Sequence, residues 1–430
     1  MTRWLYSLAW WLAMPLVLAR LWWRGRREPG YRTHWAERLG GAGPAAAQAA
    51  PARMTLWVHA VSVGETRAAE PLVEALLAAY PEARILLTHM TPTGRATGKA
   101  LFGRHGERVL QSYLPYDTGF MVGRFLRRWQ PRLCILMETE VWPNLIAGCA
   151  KAGVPVALVN ARLSERSLRR GRRMGALVGE AAGAIGLVAA QTEADATRIR
   201  SLGAPRVEVT GSIKFDVVPP QAALDKGAWL RAQCGGRPLF LCASTREGEE
   251  ALVLDAWQRA SGKPADALLA LVPRHPQRFD EVEKLAAARG LRVARRSALE
   301  DGGSDGIGAA EVLLGDSMGE MFAYYAACDC AFIGGSLMPL GGQNLIEACA
   351  LGKPVLLGEH TFNFADASEE AVRAGAALRV ADADALAAAA LGLLADGAAR
   401  AAMGAHALAF AGRHRGATLR TLELLRRLIG

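Results

Sequence analysis

At 430 residues the chain exceeds the roughly 250–300 at which a single core stops growing, so two domains are expected, and 51% apolar residues suffice to fill both. The formal charge of +10 suits an anionic partner such as nucleic acid, an acidic lipid surface or a phosphorylated substrate, without choosing among them. The cysteines Cys134, Cys149, Cys234, Cys242, Cys328, Cys330 and Cys349 lie mostly in apolar runs and form no CxxC pair, which excludes a disulfide framework and a zinc site and reads as reduced core residues of a cytoplasmic protein.

The first element is the apolar run Trp4 to Trp23, about the 20 residues a membrane-spanning helix needs. Arg24, Arg26, Arg27 and Arg32 follow it and only Arg3 precedes it, so the basic-side rule predicts an amino-terminal anchor with the rest of the chain in the cytoplasm. Pro15 and Arg20 leave a tilted or interfacial helix as the alternative. The low-complexity stretch Gly41 to Arg53 is a linker. It leads into strands predicted at Leu56 to Val61, Arg84 to Thr88, Leu133 to Met137, Val154 to Val159, Ile185 to Ala189 and Val207 to Val209, separated by helices such as Glu65 to Ala79 and Asp195 to Leu202.

A second series begins at Pro238 to Cys242 and repeats at Leu268 to Val272, Leu291 to Ala294, Glu311 to Leu314, Cys330 to Ile333 and Pro354 to Leu357. This alternation predicts an α/β protein of two Rossmann-like halves with parallel sheets, joined near Val217 to Lys226 and facing a central cleft. The expected domains are an anchor at 1–24, a first half at 25–216, a second at 217–400 and a closing helical stretch at 401–430. Leu299 to Ala309 is rich in Gly, Ser and Asp but lacks the Lys-Ser/Thr ending of a phosphate loop, and reads as a solvated connection.

In open parallel sheets, chemistry is sought just past the carboxyl ends of strands. Glu65 follows the first strand at a helix start. It is either an acid stabilised by the macrodipole or a general base, and the second role needs burial to offset the dipole's lowering of its pKa. Glu138 and Glu140 follow another strand and would share one side of an extended segment. Asn160 to Met174 holds six arginines, which suits lipid phosphates or anionic headgroups. Lys214 stands at the end of the first half, where it would neutralise a leaving phosphate or a sugar carboxylate, or be an ordinary surface lysine.

In the second half, Pro273, Arg274, His275 and Pro276 hold an arginine rigidly at a strand end, which favours an anion. Asp316 to Glu320 and Gly341 to Glu347 begin helices, where amides can cradle phosphate. Glu347 would accept from a ribose diol, or with Asn344 simply cap a helix. No His or carboxylate cluster has metal-ligand spacing, and no GxSxG or Walker sequence occurs.

HAVSVGE, METEVWPN, NARLSERS, GSIKFD, ASTREGEE, PRHPQRFDEV, GDSMGEM, GGQNLIEACALGKPV and HTFNF occur in order over nearly the whole chain. Together they resemble the Kdo transferases of lipopolysaccharide biosynthesis. That resemblance implies a GT-B glycosyltransferase without metal or other cofactor, which transfers Kdo from CMP-Kdo to the lipid A precursor lipid IVA at the cell inner membrane, in contact with anionic lipids and not with nucleic acid. By motif, Glu65 would be the general base and Glu138 and Lys214 would stabilise the transition state. Pro273, Arg274, Met318, Gly319, Glu320, Asn344, Leu345, Ile346 and Glu347 would bind CMP, and a final helix, Ala401 to Leu428, would cross back between domains. The chain departs from the pattern at Gln343, Leu345, Arg246 and the THMTPTG run. The alternatives are a GT-B protein using a UDP-linked neutral sugar, or a non-catalytic membrane adaptor.

Overall fold

The computed structural model describes residues 2–41, 54–299 and 307–430. The linker at 42–53 and the centre of the Leu299 to Ala309 connection, 300–306, lie outside them. The chain divides into two compact units, Met1–Asp216 with Arg415–Gly430, and Val217–His414.

The first unit holds β1 (Met54–His59), β2 (Ala83–His89), β3 (Val109–Tyr113), β4 (Leu133–Met137), β5 (Val156–Ala161), β6 (Leu187–Ala190) and β7 (Val207–Val209). They form one sheet in the order β3-β2-β1-β4-β5-β6-β7, with every pair parallel. Its central strands are apolar on both faces because helices cover both. Leu56, Val58, Ile135 and Met137 pack with Leu72 and Leu76 of the helix Val63–Ala79 and Leu425 of the helix Ala417–Ile429. Trp57, Leu86 and Leu136 pack on the opposite side with Phe125 and Leu145.

The second unit holds β8 (Leu239–Thr245), β9 (Leu268–Pro273), β10 (Val293–Arg295), β11 (Val312–Leu314), β12 (Cys330–Ile333), β13 (Val355–Leu357) and β14 (Ala377–Arg379). Their order is β10-β11-β9-β8-β12-β13-β14, again all parallel. Its core joins Phe240, Leu269, Leu271 and Phe332 to Val253, Trp257 and Leu386. Two parallel-sheet α/β units are therefore present, as in GT-B glycosyltransferases. All seven cysteines are buried and free.

The strand pattern missed β3 and β14. Both are sheet edges, where a strand pairs on one side only and tolerates the polar Gln111 and Ser112 or a length of three residues. The closing stretch, expected as one helix from Ala401 to Leu428, is two: Gly397–Arg413 and Ala417–Ile429. Gly416 separates them at φ +90, a conformation glycine adopts without penalty. The Asp216 carboxylate caps the second helix by accepting from the Gly416 and Thr418 amides.

The helix Arg3–Arg24 is long and apolar enough to cross a membrane. One of its faces is packed: Trp10, Val17 and Leu18 sit with Met14 against Tyr116 and Met121.

Candidate functional site

The strand order reverses between β1 and β4 in the first sheet and between β8 and β12 at the centre of the second. Ligands bind past the carboxyl ends of strands at such switch points, and the predicted residues can be placed against them.

In the first unit, β1 ends one short turn before the helix Val63–Ala79, whose first turn carries Glu65. The Val61 amide donates to Glu65 Oε2 at 2.6 Å. Burial nevertheless pushes this carboxyl up to about 8, and the charges of Glu140 and Glu138 push the same way against the Val61 amide and Lys214. The opposition between helix dipole and burial is thus decided for burial, so Glu65 holds its proton at neutral pH and is a strong base once ionised.

Glu138 is the first residue past β4 and has φ +56, left-handed for a residue with a side chain. Such backbone strain concentrates at functional sites. It is held by its amide donating to the Val159 carbonyl at 3.0 Å. Its carboxylate pairs with Lys214 Nζ at 2.8 Å. Because the chain turns at Glu138, Glu138 and Glu140 do not share one side of an extended segment: Glu140 instead accepts from Trp142 Nε1 at 2.9 Å, and burial raises its pKa.

Asn160, at the end of β5, was not singled out by sequence. It is fully buried, has φ +51, and its Oδ1 accepts from the Ile213 amide at 3.1 Å. That bond anchors the single turn Ile213–Asp216, and so the residue before Lys214. Glu65, Glu138, Glu140 and Lys214 therefore gather at one switch point, with Asn160 bracing the lysine.

In the second unit, Pro273 closes β9 and Arg274 follows it half-buried, its amide donating to the Thr245 carbonyl at 2.9 Å. Met318 is exposed and Gly319 has φ +82. Glu320 accepts from Ser317 Oγ at 2.6 Å, pairs with Arg296 Nε at 3.2 Å and bonds Lys226. Asn344 Oδ1 accepts from the Ile346 amide at 3.0 Å and its Nδ2 donates to Glu347 Oε1 at 3.1 Å. Both bonds lie in the turn that leads into the helix Ile346–Ala350 and hold Asn344 beside Glu347. Leu345 and Ile346 are buried in the core, because the short helix Ile346–Ala350 packs inward.

Sequence also missed Glu249, buried just past β8. Its carboxylate accepts from the amides of Arg246 at 2.9 Å, Gly335 at 2.6 Å and Leu337 at 3.1 Å, tying together the loops after the two switch-point strands. Its sequence sign is the ASTREGEE motif, which by itself gives its acids no role. Among the described residues no group of three or more His, Cys, Asp or Glu is placed to hold a metal.

A family model described as 3-deoxy-D-manno-octulosonic-acid transferase (kdotransferase) matches residues 33–217. The chain is 49% identical to a 3-deoxy-D-manno-octulosonic acid transferase of Bordetella pertussis over the whole of both chains. It is 38% identical to that of Haemophilus influenzae over 99% of this chain and 98% of the other. Among solved structures, Anabaena HepE in complex with UDP superposes with TM-score 0.59 at 18% identity, over 87% of this chain and 99% of HepE, a likeness of fold. With a full-length relative at 49% identity, and with its two parallel-sheet units, the chain belongs to the 3-deoxy-D-manno-octulosonic acid transferase family.

Proposed function

We propose that the protein transfers Kdo from CMP-Kdo to a hydroxyl of lipid IVA by an inverting, metal-independent displacement with Glu65 as general base. The observation that carries this reading is the Glu65 carboxyl, pushed up to about 8 by burial beside the Lys214–Glu138 pair. A base of that pKa takes a proton from a hydroxyl more effectively than an ordinary carboxylate.

The acceptor hydroxyl gives its proton to Glu65 as its oxygen bonds to the anomeric carbon of Kdo. The bond from that carbon to the phosphate oxygen breaks, and its electron pair leaves with CMP. A single displacement inverts the anomeric centre. Lys214, oriented by Glu138, offers a fixed cation to the charge that develops, which is the kind of preorganised stabilisation that lowers barriers most.

Nucleotide binding falls to the second unit. Arg274 takes the phosphate, and Glu347 with Asn344 takes the ribose hydroxyls. Glu320 is already occupied by Arg296, Lys226 and Ser317, so it acts by holding the turn that presents Met318 and Gly319. The enzyme works on the cytoplasmic side of the inner membrane, where the arginines of the helix Glu165–Met174 meet anionic lipid.

The test is a transfer assay with full-length protein in detergent, lipid IVA and CMP-Kdo made in situ, with EDTA added once the donor has formed, read by mass spectrometry of the lipid. A mass increase by Kdo units is expected. An unchanged lipid with folded, CMP-binding protein overturns the acceptor assignment, and loss of CMP binding as well overturns the donor.

A further inference from the structure

The helix Arg3–Arg24 has two faces. At 100° per residue, the exposed Trp4, Trp11, Leu12, Leu16, Trp22 and Trp23 fall within an arc of about 140°. The residues that pack on the first unit fall on the opposite arc. Ser7 Oγ donates to Asn144 Oδ1 at 3.1 Å, Trp10 lies 5.8 Å from the Tyr116 ring, Met14 packs on Met121 and Leu21 is buried.

The packed face thus runs from residue 7 to 21, about 21 Å of helix at 1.5 Å per residue. An upright span would drag what it packs against into hydrocarbon: Asp117, which binds the Asn144 and Leu145 amides, and the helix Gly119–Trp129, which carries Arg124, Arg127 and Arg128 as well as Met121. Ionised groups are not stable there. A helix lying flat puts only its apolar arc into the lipid.

At its far end the helix helps to form an open pocket of about 960 Å³, lined by Arg20, Arg24, Arg26 and Arg27 with Trp23 and Tyr31, and with Glu28 as its one acid. Arg24 stacks 4.3 Å over Tyr31 and Arg26 4.8 Å over Trp22. Stacking fixes the planes of these two guanidiniums and leaves their N–H edges to donate. Guanidinium edges match phosphate oxygens, and the exposed Trp22 and Trp23 belong at the same interfacial depth as a headgroup.

We propose that the helix Arg3–Arg24 lies in the plane of the membrane and that the Arg20, Arg24, Arg26 and Arg27 pocket holds the phosphate of an anionic phospholipid of that bilayer. This does not depend on the transfer reaction, and neither test below reads donor turnover.

The first test places one accessible cysteine, Thr2→Cys or Glu28→Cys, in the full chain, whose native cysteines are all buried, and applies a membrane-impermeant maleimide to spheroplasts before and after lysis. Both sites are expected to be protected in intact spheroplasts and labelled after lysis. Labelling of Thr2→Cys in intact spheroplasts, with Glu28→Cys protected, would show a spanning helix and overturn the inference.

The second test measures binding of purified full-length protein to phosphatidylcholine vesicles with and without phosphatidylglycerol. The combined substitution of Arg20, Arg24, Arg26 and Arg27 by Gln is expected to lose phosphatidylglycerol-dependent affinity by at least about tenfold while binding to phosphatidylcholine persists. Unchanged affinity overturns the pocket. So does loss confined to phosphatidylcholine vesicles that carry lipid IVA, because the pocket would then serve the acceptor.

Discussion

Glu65 shows how one residue's chemistry is set by surroundings that its own neighbours in sequence do not specify. Replacing it by Gln should lower turnover by roughly 10² to 10⁴ while CMP binding, read by calorimetry, is retained; full activity in the folded variant would end its role as base. A base must be ionised, so turnover should climb with pH towards about 8 and then level. Replacing Glu138 by Gln removes a charge that raises the Glu65 pKa and frees Lys214 to lower it, so the climb should move to lower pH, as a pH–rate profile will show. Stability follows with the opposite sign. The folded state keeps a proton on Glu65 that the unfolded chain releases above about 4.3, so this group's contribution declines as pH rises from there to about 8. Over that window the Glu65→Gln variant should gain in melting temperature relative to the parent. Glu65, Glu138 and Lys214 were legible in sequence because each stands just past a strand or closes the first half. Asn160 and Glu249 were not assigned roles, because they act on backbone amides 53 and 86 residues away.

Among the elements, interior strands could be read from apolar runs, and edges and helix ends less well. The break before Ala417–Ile429 has a sequence sign in Gly416, but its stability rests on the Asp216 carboxylate, 200 residues earlier. Asp216→Ala should cost about 1 kcal/mol, the usual value of a lost cap, and lower the first unit's thermal transition by a few degrees in calorimetry. The segment Gly30 to Gly40, GYRTHWAERLG, likewise owes its structure to contacts distant in sequence. Glu37 is buried, accepts from the Tyr113 amide at 2.8 Å and pairs with Arg95, and Arg38 stacks 3.7 Å over Tyr113. This short segment therefore braces the edge strand β3 that the periodicity missed.

For the whole molecule, each unit has its own core and its own switch point, so a ligand of one should stabilise that one first. CMP at 100 times its Kd should stabilise the second unit by about 2.7 kcal/mol and raise its melting transition. Arg274→Ala should abolish the shift, and Glu65→Gln should leave it intact. An equal shift in the Arg274→Ala variant would remove that arginine from the nucleotide site. The sequence by itself determined the two α/β units, the strands of their interiors and the acids and cations at strand ends, because burial on both faces of a parallel sheet writes long apolar runs and a strand's end is a local event. Only the tertiary structure decided the Glu65 pKa, the pairing of Lys214 with Glu138, the occupation of Glu320 and the packed face of the amino-terminal helix. Those depend on which distant segments are brought together, since desolvation, ion pairs and hydrogen bonds act through distances in space that no local pattern along the chain records.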